Sequence, residues 1–341
     1  MRVDRADDRL EVAAAETSAE SAADSTVGLG DARTRILVGR VARPAPAPAT
    51  TERPSRPVGA PGWTFRWITS WNPNDREFWA REGRRIARRN LIFSIFAEFL
   101  GFSIWQLWSV VAVQLNHAGF HLAIGQLFWL ISLPGLVGAT MRFPYGFAVP
   151  LLGGRNWTFI SAGLLLIPSG LLAVLVQHPG TPYWLLMVGA GTAGLGGGNF
   201  ASSMANISYF YPDDRKGLAL GLNAAGGNLG VAVVQFVLPA VIGLGVLGLG
   251  AKHATHLQLQ WAGLMWIPLV VVAALCALRF MDNLMVSRAS LRQQVVILRR
   301  KHTWVISWLY VGTFGSFIGY SAGLPLLITT QFPDVNPLEY A

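Results

Sequence analysis

Seven stretches of this chain, at roughly 91–115, 124–150, 157–176, 183–211, 217–246, 262–281 and 303–330, are long, apolar and almost free of charge. A run of about twenty apolar residues crosses a bilayer core as one α-helix, because a helix satisfies its backbone hydrogen bonds internally. No alternating strand pattern competes with these runs, and the connections between them are short. The fold class expected is therefore an all-α membrane protein, a compact helix bundle. Composition points the same way. The chain is 52% hydrophobic and only 13% charged, about half the charged share of a soluble domain. That excludes an ordinary soluble enzyme and a wholly disordered chain. The single cysteine, Cys276, excludes an intrachain disulfide framework and a cysteine-based metal cluster. It reads as a small apolar residue of the sixth stretch. No metal and no cofactor is expected.

A net charge of +9 would suit nucleic acid, but the basic residues flank the apolar runs, where they set topology instead. Arg76, Arg81, Arg84, Arg85, Arg88 and Arg89 precede the first run. Arg155, then Arg215 and Lys216, then Arg279, Arg288, Arg292, Arg299, Arg300 and Lys301 fall on the same side by alternation, whereas the opposite connections carry only Lys252. The basic side is expected to be cytoplasmic, with the N-terminus inside. The alternation also supports the span count.

The chain divides by composition. Residues 1–66 are rich in Ala, Ser, Pro and charge, with the run Pro44-Ala45-Pro46-Ala47-Pro48 and no apolar signal core; they read as a disordered cytoplasmic tail. Residues 67–90, with Trp67, Trp71, Phe78 and Trp79 ahead of the arginines, read as a basic interfacial segment at headgroup depth, in contact with membrane lipids. A six-helix bundle over 91–281, a basic cytoplasmic linker over 282–302 and one further helix within 303–341 follow. Six helices, a link and more helices is the plan of carriers built from two six-helix halves. The reading frame past Ala341 is expected to continue into five more spans, the first carrying an arginine.

Charged residues at bilayer depth are functional candidates by default. Two qualify, Arg142 and Glu98. Arg142 lies about five residues, ~7.5 Å, beyond the middle of its run. An arginine at the centre of a span costs about 2.5–3.5 kcal/mol on insertion scales. The bland reading is snorkelling to the interface. The functional reading is anion binding, since a guanidinium is planar, permanently charged and forked to match a planar oxyanion. Glu98 sits two turns inside the first run. It either reaches the interface or serves as a proton site. The histidines lie in connections or at span edges, which disfavours a histidine relay.

Glycine is the second signal. Gly189, Gly191, Gly194 and Gly196 to Gly198 precede Asn199-Phe200-Ala201-Ser202-Ser203, and the fifth run reads Gly217 to Gly230 with Asn223, Gly221, Gly227 and Asn228 inside it. Helical spacing puts Gly217, Gly221, Ala224 and Asn228 on one face. Small residues there permit close helix packing and leave amides open to a small ligand. Gly189-x-Gly191-x-x-Gly194 matches a dinucleotide-binding pattern by chance, since it follows no strand. Asn206-Ile207-Ser208 fits a glycosylation acceptor but sits in or beside a span.

Four segments carry a resemblance: Gly196 to Ser208, Gly217 to Asn228, Gly138-Ala139-Thr140-Met141-Arg142-Phe143-Pro144-Tyr145, and Thr313 to Gly323. Together they resemble the nitrate/nitrite porters (NarK type) of the major facilitator superfamily over roughly 70–341. The resemblance implies a twelve-helix carrier, monomeric at full length, in the bacterial cytoplasmic (inner) membrane, with nitrate and nitrite as its ligands and no nucleic acid. It implies that Arg142 binds the anion, that Phe200, Tyr310 and Phe314 flank it, and that Asn228 lies near it. A second binding arginine and a second glycine signature would lie beyond Ala341. Two arginines around an empty site would repel, which favours exchange of nitrate for nitrite. Proton symport through Glu98 and a non-transporting anion sensor are the alternatives. A membrane-embedded enzyme is disfavoured, because no nucleophile–base pair stands out.

Overall fold

The computed structural model describes residues 67–244 and 257–332. The tail expected over 1–66 and the connection containing Lys252 lie outside the described residues. Seven long helical segments follow one another: α1 (Arg76–Leu115), α2 (Ile124–Leu152), α3 (Gly154–Leu175), α4 (Tyr183–Phe210), α5 (Asp213–Leu244), α6 (Trp261–Phe280) and α7 (Lys301–Gln331). All but α4 are long and apolar enough to cross a membrane by length and composition. The exception is a continuous 28-residue helix without a single charge. Its glycines, serines and asparagines lower its hydropathy, and it packs among α1, α2, α3 and α5. The fold is that of an integral membrane protein, almost entirely helical over the described residues.

Several segments are interrupted. Asp75 caps the start of α1, accepting from the backbone N–H groups of Glu77 at 2.9 Å and Phe78 at 3.3 Å. A π-turn occupies Trp79–Gly83. The helix breaks again at Gln106, where φ is −93° and ψ is 0°. A second π-turn, Val311–Gly315, sits in the middle of α7. The main core gathers Leu100, Ile104, Trp108, Leu130, Leu172 and Leu186 from α1 to α4. α7 packs on the second half of α1 and on α2.

Close helix approach is built from missing side chains. A Cβ on Gly196 would overlap the Gly101 carbonyl oxygen, so α1 and α4 touch backbone to backbone there. On α5 the spacing predicts a packing face through Gly217, Gly221 and Ala224. The structure instead leaves Gly217 and Gly221 exposed, with open space where a Cβ would stand. The buried face is Ala219, Asn223, Gly227 and Gly230. The 100° step per residue makes both faces legible in so glycine-rich a run; contact with α1 at Ile95, Glu98 and Phe99 selects the second.

The basic ends of the helices meet. β1 (Trp67–Ile68) pairs in parallel with β2 (Asn283–Leu284), which follows α6. Arg89 pairs with Asp282, which also accepts from Asn90 at 3.2 Å. The Asn283 side chain accepts from the Arg155 backbone N–H at 2.9 Å, and the Arg155 guanidinium caps the Leu278 carbonyl. Trp71 and Trp79, expected at headgroup depth, are buried against Phe78, Ile86, Phe210 and Leu284. Residues 67–75 are thus a strap docked on protein, while Arg84, Arg85 and Arg88 remain exposed.

Gly196→Val should force α1 from α4 and cost about 1–3 kcal/mol. A thermal melt of the detergent-solubilised protein reads this as a fall in midpoint; an unchanged midpoint would refute the backbone contact.

Candidate functional site

Arg142 projects from the middle third of α2 into a cavity of about 340 Å³ lined by Trp105, Arg142, Tyr310 and Phe314 among others. Its Nε donates to the Gly197 carbonyl of α4 at 3.3 Å, and Nη1 donates to the Tyr310 hydroxyl of α7 at 3.4 Å. Nη2 is buried and has no hydrogen-bond partner. The guanidinium carbon lies 4.7 Å from the Phe314 ring centroid, 5.1 Å from Phe200, 5.6 Å from Trp105 and 5.8 Å from Tyr310. Ring faces are negative, so each such contact contributes roughly 0.5–2 kcal/mol toward holding the charge away from bulk water.

The rings are themselves ordered. Tyr310 and Phe314 stack at 5.0 Å and 8°, and Phe200 lies 5.6 Å from Phe314 at 21°. Tyr310 immediately precedes the π-turn of α7 and Phe314 lies within it; such turns concentrate at functional sites. Three near-parallel rings from α4 and α7 thus form one wall beside the guanidinium.

Trp105 is a site residue that the sequence pattern does not single out. Its Nε1 donates to the Pro134 carbonyl at 2.7 Å. The indole fits because Gly138 and Gly197 carry no side chain; a Cβ at either would come within 2.6 Å of it. Only the fold reveals that two glycines on different helices open space for one tryptophan on a third.

The asparagines divide. Asn223 donates to the Ser203 hydroxyl at 3.0 Å. Asn199 is buried with its side-chain oxygen unpartnered and faces a second, small pocket. Asn228 also has a buried, unpartnered side-chain oxygen but is not among the residues lining the Arg142 cavity. Glu98 does not reach an interface. It is 1% exposed, and both carboxylate oxygens are buried beside Ser203.

A bundle of membrane-length helices, with a partly unsatisfied guanidinium facing an aromatic-walled cavity, is that of an integral membrane protein. The chain belongs to the Major Facilitator Superfamily, whose family model matches residues 91–336. It is similar to the nitrate/nitrite transporter NarU of Salmonella typhimurium, 47% identical over 280 residues, covering 80% of this chain and 61% of that one. NarU of Escherichia coli is 45% identical with the same coverage. A probable nitrate/nitrite antiporter, NarK2 of Thermus thermophilus, is 42% identical over 81% of this chain and 64% of its own. The chain therefore spans about three-fifths of the length of these relatives.

Trp105→Phe should remove the indole hydrogen bond and leave a void beside Arg142, costing on the order of 1–3 kcal/mol. The midpoint of a detergent melt should fall by several degrees; parity with the parent would show that the indole supports nothing.

Proposed function

We propose that this protein moves nitrate and nitrite across the bacterial cytoplasmic membrane, exchanging one anion for the other by alternating access. In this reading the N-terminus and the basic helix ends are cytoplasmic, residues 1–66 are a tail, 282–302 link two halves, and the full-length carrier is a monomer that contacts lipid and no nucleic acid. It performs no covalent chemistry. The observation that carries the reading is the free edge of the Arg142 guanidinium, Nη2, buried without a hydrogen-bond partner beside a cavity.

The chemistry follows from what a dehydrated oxyanion needs. Leaving water exposes its charge, and a fixed cation with N–H donors restores part of that hydration. A planar anion pairs with a planar guanidinium through two parallel N–H···O contacts, which a spherical ammonium cannot supply. Phe200, Tyr310 and Phe314 confine a flat ligand and exclude water, which strengthens the ion pair. Because Phe200 sits on α4 whereas Tyr310 and Phe314 sit on α7, tilting α7 with a second half would open one side of the cavity and close the other. An empty site leaves the cation uncompensated, so the return step favours a loaded carrier. The names of similar proteins, nitrate/nitrite transporters among them, agree with this ligand class.

Arg142→Lys should lower exchange by about two orders of magnitude, an effect of roughly 2.7 kcal/mol. Full-length protein in liposomes preloaded with nitrite, with labelled nitrate outside, measures it. Exchange at the parental rate with equal protein incorporation would overturn the role of the fork.

A further inference from the structure

Gln235 of α5 donates a side-chain N–H to the Ser321 carbonyl of α7. Inside a helix such a carbonyl is normally taken by the N–H four residues on. Here the residue four on is Pro325, which has no N–H to give. α5 carries a proline at the matching place. Pro239 follows Gln235 by four residues and leaves the Gln235 carbonyl without its in-helix donor as well. The contact therefore joins two helical turns that each lack one rung, and helices bend most readily at such turns. The packing around it is apolar: Val231, Val234 and Leu238 of α5 are buried, as are Ile318 and Leu326 of α7.

The two parts of α7 are held differently. Ser316–Gln331 packs on Leu107–Leu115 of α1 and on α2, and Leu326 joins the main core. Lys301–Tyr310, beside the basic helix ends, is largely exposed. α7 is thus anchored at the end away from the basic helix ends. The anchored part also leads to the anion site. Ile318 and Val231 share one apolar cluster with Phe102 and Trp105, and Phe200 and Phe314 of the ring wall pack against that cluster. Ser321 follows Phe314 by seven residues, two turns or about 10 Å along the axis, and so lies on the same face of α7.

We propose that Gln235 is a positioning residue of the carrier. Its bond to Ser321 latches the second part of α7 to α5, closes the anion cavity at the end away from the basic helix ends, and sets where Phe314 stands against Arg142. Opening that end breaks the bond. The prolines make the step reversible, because the rung that bending would break is already absent from both helices. A net contribution typical of one neutral hydrogen bond shifts an equilibrium roughly two- to tenfold. That is enough to bias the closed state and little enough to release in every cycle. A hydrogen bond is also directional, so it fixes the register of α7 on α5, which the surrounding Val, Leu and Ile contacts do not. The proposal rests on the carrier reading, and the two fail in different assays.

The test uses the full-length protein with its native cysteines replaced by alanine and Ala322→Cys as reporter. Ala322 packs against the main core and lines the Arg142 cavity. A membrane-impermeant maleimide, added from the side away from the basic helix ends, reaches that position when this end opens. Gln235→Met keeps the length of the side chain and removes the donor. It should raise the labelling rate two- to tenfold at an unchanged melting midpoint, and Gln235→Leu should do the same. Pro325→Ala gives the Ser321 carbonyl an in-helix donor, so in that background Gln235→Met should change labelling less than twofold. Parental labelling in either folded Gln235 variant, or an equal rise with and without Pro325, would overturn the latch. The labelling needs no transport. Absence of nitrate–nitrite exchange by the parent in liposomes would instead overturn the carrier reading and leave the labelling comparison intact.

Discussion

The structure depends on how a guanidinium is kept within a bundle of membrane-length helices. Arg142 satisfies one N–H with a backbone carbonyl and another with a phenol, and rests against ring faces at 4.7 to 5.8 Å. None of these partners is an anion. These contacts support the charge through neutral groups and leave Nη2 without a hydrogen-bond partner. A carboxylate in direct contact would be more stabilising and would also occupy the fork.

The rest of the bundle accommodates that choice. α4 supplies the Gly197 carbonyl and the Phe200 ring, so it must approach α2 and α1 closely, and it does so by carrying glycine along the faces it presents to them. The same composition lowers its hydropathy below that of its neighbours. Trp105 fills the gap that two glycines leave, and its hydrogen bond to Pro134 fixes the indole in register with α2. Local composition and the site are thus one constraint expressed at two scales.

Much of this is legible in the amino-acid sequence. Span positions follow from hydropathy because the bilayer imposes a length. Arg142 stands out because charge at that depth is expensive. Phe200, Tyr310 and Phe314 are found through resemblance, not through periodicity, since aromatic residues are common throughout such runs. Trp105 is not legible, because its significance lies in glycines on two other helices. Spacing alone misplaces the packing face of α5 by more than a third of a turn, because Gly, Ala and Asn are small at nearly every position there and only the partner helix breaks the tie. The docking of Trp71 and Trp79 is also hidden. An indole suits a headgroup region and a protein pocket equally well, and Phe210 and Leu284 are distant in sequence.

The depth of Glu98 is the feature that the sequence leaves most open, and it changes the charge balance most. A site holding cationic groups alone favours strict exchange, because an empty carrier would cross the barrier state with unbalanced charge. A buried carboxylate in the same bundle would weaken that penalty whenever it carries its charge. Helix α4 sits between the two charges and contributes to both pockets, so a rotation of its central turns cannot alter one site without altering the other.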